Sequence, residues 1–114
     1  MSEVIYHMCP AEAWAAAVAA GRHDGTEDDR RDGFIHFSTA AQVQESARRH
    51  RAGQAGLVLV AVESARLTDR LKREPSRGGQ LFPHLYGPLD PAEAASLSPL
   101  PLGPDGQHVF PTLD

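Results

Sequence analysis

Leu57-Val58-Leu59-Val60-Ala61-Val62 is the stretch whose reading decides the fold. It is apolar on both alternating faces, which suits a central strand covered on two sides better than an edge strand. At six residues it is far shorter than the roughly 20 needed to cross a bilayer. Working back from it, Gly53 ends a helix expected over about 40–51, and Thr39-Ala40-Ala41-Gln42 has capping-box spacing at that helix's start. Phe34-Ile35-His36-Phe37 reads as a short strand with Phe34 and His36 on one side, Ile35 and Phe37 on the other. The charged, glycine-bearing stretch from Arg22 to Gly33 has no apolar period and reads as a solvated loop. Pro10 at a first helical position, Glu12 in the first turn and Gly21 after the last alanine mark a helix over about 11–20. Val4-Ile5-Tyr6-His7 before it is a strand.

Forward of the central run, Asp69 to Glu74 reads as a helical turn or a strand end, and Pro75 to Gly79 as a loop. The two prolines and the glycine between Leu81 and Leu89 point to a semi-extended, bent backbone rather than a regular central strand. Asp90-Pro91-Ala92-Glu93 looks like a capped helical turn, and Ser98 to Pro111 like an arm or edge hairpin around Gly103-Pro104-Asp105-Gly106. The sum is an α+β domain over residues 1–114, with a small mixed or antiparallel sheet and two main helices. With 114 residues and 41% apolar content there is material for one core, and no segment repeats. A net charge of −4 speaks against non-specific nucleic-acid binding, which needs a basic surface. Met1-Ser2-Glu3 lacks the basic and apolar start of a secretory leader, so a cytoplasmic setting without membrane contact is expected. Cys9, the single cysteine, excludes an internal disulfide. It reads as a small half-buried residue closing a strand, or as a thiol whose pKa a nearby helix N-terminus lowers.

Of six histidines, His7, His36 and His84 lie in apolar, strand-like contexts, where a ring that titrates near neutrality must be hydrogen-bonded or functional. Three such rings together point to one polar pocket. His23, His50 and His108 lie in charged or turn contexts and read as surface groups. Glu74, just before the proline-glycine loop, reads as an acidic partner for the His84 segment or as a solvated loop charge. Ser38 and Thr39 either cap the following helix or meet a phosphate at its N-terminus. Tyr86 stacks on a planar ligand or packs beside a tight turn. No Gly-x-Gly-x-x-Gly, Walker loop, His-Glu-x-x-His or Gly-x-Ser-x-Gly string occurs.

Ile5-Tyr6-His7, Gly33-Phe34-Ile35-His36-Phe37-Ser38-Thr39 and Phe82-Pro83-His84-Leu85-Tyr86-Gly87-Pro88-Leu89 resemble the domain of unknown function 952 family. That family in turn looks like a compact relative of the ADP-ribosyltransferase fold, in which three motifs surround NAD. The resemblance implies NAD or a related nucleotide as the ligand, with His7 holding the ribose and the nicotinamide amide. It places Phe37 and Ser38 in the second motif, and Glu74, or the His84 and Tyr86 segment, where a group polarises the acceptor or the ribose. A histidine-rich third motif without a clear strand-end glutamate departs from the transferase pattern. Three readings follow. One is a ribosyl-transferring enzyme using His7, Glu74 and His84, with His36, Phe37, Ser38, Thr39 and Tyr86 binding the ligand. The second is a binding module for a small anionic or nucleotide ligand through the same residues. The third is a divalent metal held by the three histidines and Glu74. The oligomeric state is left open.

Overall fold

In the computed structural model, which describes residues 3–113, the apolar run forms β4 (Leu57–Glu63), interior to its sheet. Met1 and Ser2, where the absence of a leader was read, lie outside the described residues. β1 (Val4–Pro10) runs antiparallel on one side of β4, with Ile5 opposite Val62 and Cys9 opposite Val58. β7 (Ala94–Leu100) pairs on the other side. The two-residue β3 (Ser38–Thr39) extends the sheet beyond β1, giving the order β3-β1-β4-β7. Both faces of β4 are covered, which is why both are apolar: Val60 and Val62 pack with Ile5, Ile35, Phe37 and Leu85, whereas Leu57, Leu59 and Ala61 pack with Tyr6, Val43 and Leu100.

The expected single sheet is in fact two. β2 (Ile35–His36), β6 (Leu81–Leu85) and β5 (Leu71–Pro75) form a separate antiparallel sheet in the order β2-β6-β5. The chain changes sheet at Phe37, whose N–H donates to the Pro83 carbonyl at 3.0 Å. The segment from Leu81 is thus a regular central strand at its start, contrary to the bent backbone expected from its prolines. Pro83 is tolerated because its carbonyl, not the N–H it lacks, serves the neighbouring chain.

α1 (Ala11–Ala20) has the expected bounds and closes on Gly21 at φ 79°, but Pro10 ends β1 and stands before the first turn rather than in it. α3 (Ala40–His50) starts where the capping box places it, with the Gln42 Oε1 accepting the Thr39 N–H at 3.1 Å. The solvated loop expected over 22–33 is a correction: it holds α2 (Glu27–Asp32) and two buried polar side chains, His23 and Asp29. Asp29 Oδ2 accepts the Thr26 N–H at 2.8 Å and Thr26 Oγ1 accepts the Asp29 N–H at 3.3 Å. The inward face of α2 is a carboxylate, so no hydrophobic period marks it. Asp90 caps a 3₁₀ turn over Pro91–Glu93, and the later arm is bridged between Leu102 and His108. Among the described residues no helix is long and apolar enough to cross a membrane.

Candidate functional site

β1 and β3 of one sheet meet β2 and β6 of the other along a seam, and a cavity of about 350 Å³ opens there. His7, His36 and His84 all line it. Tyr6, Phe37 and Phe82 give it aromatic surface, and Arg31 and Arg51 give it cationic groups. Ser38 lines it too, but its hydroxyl donates to Ser46 Oγ at 3.2 Å. Thr39, Glu74 and Tyr86 are not on the wall.

His7 leaves β1 on the face that carries Ile5 and Cys9 and is 2% exposed. Its Nδ1 lies 2.8 Å from the His36 carbonyl, a bond that joins the two sheets, and its Nε2 lies 3.0 Å from His23 Nε2. With Nδ1–H donating to the carbonyl, Nε2 accepts from His23. Burial pushes the His7 pKa down, against the pull of Asp29, so the ring is neutral and its 3.8 Å approach to Asp29 is not an ion pair at rest. Both ring nitrogens therefore meet protein groups.

His36 is clamped by α2. Its Nδ1 is 2.6 Å from Asp29 Oδ1 and its Nε2 is 3.0 Å from Asp32 Oδ2. Burial pushes the Asp29 carboxyl up, but the His36 ring, the neighbouring His7 and the backbone N–H groups of Thr26 and His36 outweigh it and hold the pKa at about 2. Asp29 is thus a buried, ionised group at the root of the site.

His84 faces His36 directly across β2 and β6. Glu74, opposite Phe82 on β5, reaches diagonally to His84 Nδ1 at 2.7 Å and accepts the Tyr86 hydroxyl at 2.7 Å on the same oxygen. These two bonds hold the Glu74 carboxyl below its usual range, and the same contact pushes Tyr86 up. Phe34 stacks on the His84 ring at 3.9 Å and 21°. Glu74 and Tyr86 thus stand behind His84 rather than against a ligand, and Tyr86 offers its hydroxyl to Glu74 instead of a stacking face. With Nδ1 committed, Nε2 of His84 is the ring nitrogen left for a bound molecule.

Two partners of this network escape a reading of the sequence. His23, expected on the surface, is 3% exposed because its backbone bonds Leu89 in both directions, at 2.8 and 2.9 Å, which draws the ring in beneath Trp14 and against His7. Asp29 has one signal, the Thr26-x-x-Asp29 spacing after Gly25, which resembles a capping box with Asp in the Glu or Gln place. Arg51, beyond the end of α3, lies 3.4 Å from Asp28. Cys9 is fully buried rather than half-buried, and burial pushes its thiol up to about 12 rather than down. The metal grouping of His7, His36, His84 and Glu74 does not form: among the described residues the histidine-cysteine-carboxylate group close enough for one ion is His7, Cys9 and His23.

The model of the family described as protein of unknown function (DUF952) matches residues 8–97, and the chain belongs to that family. The crystal structure of protein CC0527 from Caulobacter crescentus is 46% identical, with 93% of each chain covered and a TM-score of 0.90. A double mutant of CC0527 is 45% identical over 93% of each chain with a TM-score of 0.89. The solution structure of CC0527 is 47% identical over 91% of this chain and 90% of that one, with a TM-score of 0.83. No curated protein matches the chain.

Proposed function

We propose that this DUF952 chain binds the nicotinamide-ribose end of NAD, or a nucleotide of similar size, between its two sheets and transfers or cleaves at the ribosyl carbon. The observation that carries the reading is the convergence of the three histidine-bearing strands on one cavity with cationic and aromatic walls. Its volume of about 350 Å³ is at the low end of the ~300–1,000 Å³ of small-molecule sites, which fits one nucleotide half. Arg31 and Arg51 supply charge for a phosphate, and Phe82 and Tyr6 supply faces for a ring. The resemblance to ADP-ribosyltransferases supports the choice of NAD. A cytoplasmic setting goes with this reading.

Breaking the bond to nicotinamide sends its electron pair to the leaving ring and leaves positive charge on the ribose. Asp29 and Asp32, both on the cavity wall, supply the opposing charge. His84, oriented through Nδ1 by Glu74, takes the proton of the acceptor hydroxyl or water at Nε2 as its oxygen bonds to the ribosyl carbon. Glu74 is here a positioning residue. His7 holds the seam instead of the ribose, because both its nitrogens are engaged. That engagement favours a second reading, a binding module without chemistry. Calorimetry with NAD, nicotinamide mononucleotide and ADP-ribose, followed by a nicotinamide-release assay, separates the two. For the enzyme, Arg51→Ala weakens binding and His84→Gln keeps it while release falls by about 10²- to 10⁴-fold. Binding without release establishes the module. No binding of any nucleotide refutes both.

A further inference from the structure

We propose that His7, His23 and Cys9 form a three-ligand site for a divalent transition metal of the zinc and cobalt class, its fourth position left open. The three nitrogen and sulfur atoms lie within 4.8 Å of one another, and all three residues are buried. The two Nε2 atoms are 3.0 Å apart. Ligand atoms sharing a tetrahedral ion at ~2.0–2.3 Å stand ~3.3–3.6 Å from each other, so small shifts convert the cluster into a coordination sphere. Two neutral imidazoles and one thiolate suit a borderline-soft ion.

The surroundings match what metal ligands require. A ligating histidine donates its other N–H to a carbonyl or carboxylate, and His7 Nδ1 meets the His36 carbonyl at 2.8 Å. The paired bonds to Leu89 hold the His23 backbone, and the Trp14 ring edge holds its imidazole. A histidine pair joined by one hydrogen bond accounts for the Nε2 contact but not for the thiol beside it. His7 and Asp29 line the cavity whereas Cys9 and His23 lie behind it, so the ion is reached from the cavity side. Histidine ligates as the neutral imidazole and cysteine as the thiolate. Binding therefore releases one proton, that of Cys9. The site stands independently of what occupies the cavity.

The test is cobalt titration of the tag-free full chain refolded from urea, since buried ligands load most readily during folding. One Co²⁺ per chain is expected, with the visible bands of tetrahedral cobalt and a thiolate-to-metal absorption in the near ultraviolet. Cys9→Ser loses the near-ultraviolet absorption, His23→Gln lowers affinity by about 100-fold or more, and wild-type affinity rises about tenfold per pH unit around neutrality. A wild-type protein whose cobalt spectrum stays that of the hydrated ion overturns the proposal without any variant. So does a near-ultraviolet band that persists in folded Cys9→Ser.

Discussion

As the pH falls from 8 to 5, His23 takes up a proton readily in the unfolded chain, where its pKa is near 6.5. In the fold, burial and the neighbouring His7 hold it at about 4. The unfolded chain thus binds more protons through this window, so stability falls with pH; the contribution is fully present above about 6.5 and is lost progressively down to about 4. At pH 5 the loss from this one ring is about 2 kcal/mol, a large part of the ~5–15 kcal/mol that holds a domain of this kind together. His7, pushed the same way by burial, adds to it. Asp29 does not enter: its folded value of about 2 lies below its unfolded one, so it stabilises above about 4 and is lost only as the pH falls toward 2. Urea unfolding of the metal-free protein with a chelator present, followed by the fluorescence of the buried Trp14 beside His23, measures the effect. His23→Gln, which keeps a donor for His7 but cannot titrate, should flatten the pH dependence by about 2 kcal/mol. Wild-type stability that is level from pH 8 to 5, or a variant with the wild-type slope, would refute the reasoning.

Glu74→Gln should leave nucleotide affinity within a few-fold in calorimetry while nicotinamide release falls by about 10²-fold, because an amide no longer holds His84 Nδ1–H as a carboxylate does. Gly25→Ala should cost about 1–3 kcal/mol in thermal unfolding, since φ is +98° and a Cβ there would stand 2.6 Å from the Asp29 Cβ. Ile5→Ala should cost about 2–5 kcal/mol in the urea midpoint, because this fully buried side chain fills the core against both sheets.

The first-order plan was readable wherever a period or a cap speaks for itself. The two-faced run became β4, the alanine stretch between Pro10 and Gly21 became α1, and Thr39 with Gln42 opened α3. Period-2 alternation placed Ile35 and Phe37 in the core and Phe34 with His36 on the opposite side, where Phe34 lies against His84. The second sheet was not readable, because β2 joins it by long-range pairing, Ile35 with Leu85, that no local pattern records. His23 failed for a related reason. Its burial comes from a bridge to Leu89, 66 residues away in sequence, whereas its neighbours in the chain, Arg22 and Asp24, are charged and exposed. Asp29 was hidden by convention: carboxylates are read as solvated, yet this one is met by three donors, the Thr26 N–H of the α2 cap and the backbone N–H and ring Nδ1 of His36.

The string Gly33 to Thr39, which carries much of the family resemblance, is accounted for position by position by the change of sheet. Gly33 ends α2 at φ +89°, Phe34 stacks on His84, and Ile35 pairs with Leu85 in the core. The His36 carbonyl receives His7 while its ring meets Asp29, Phe37 N–H bonds Pro83, and Ser38 and Thr39 join β1. Deleting one residue here would turn every following side chain to the wrong face and part the two sheets. The same string thus builds the fold and forms one cavity wall, and a variant at His7 or His36 tests both at once. Chemistry is isolated at a wall position whose reactive atom bonds no other described residue, and Nε2 of His84, with Nδ1 already held by Glu74, meets that condition.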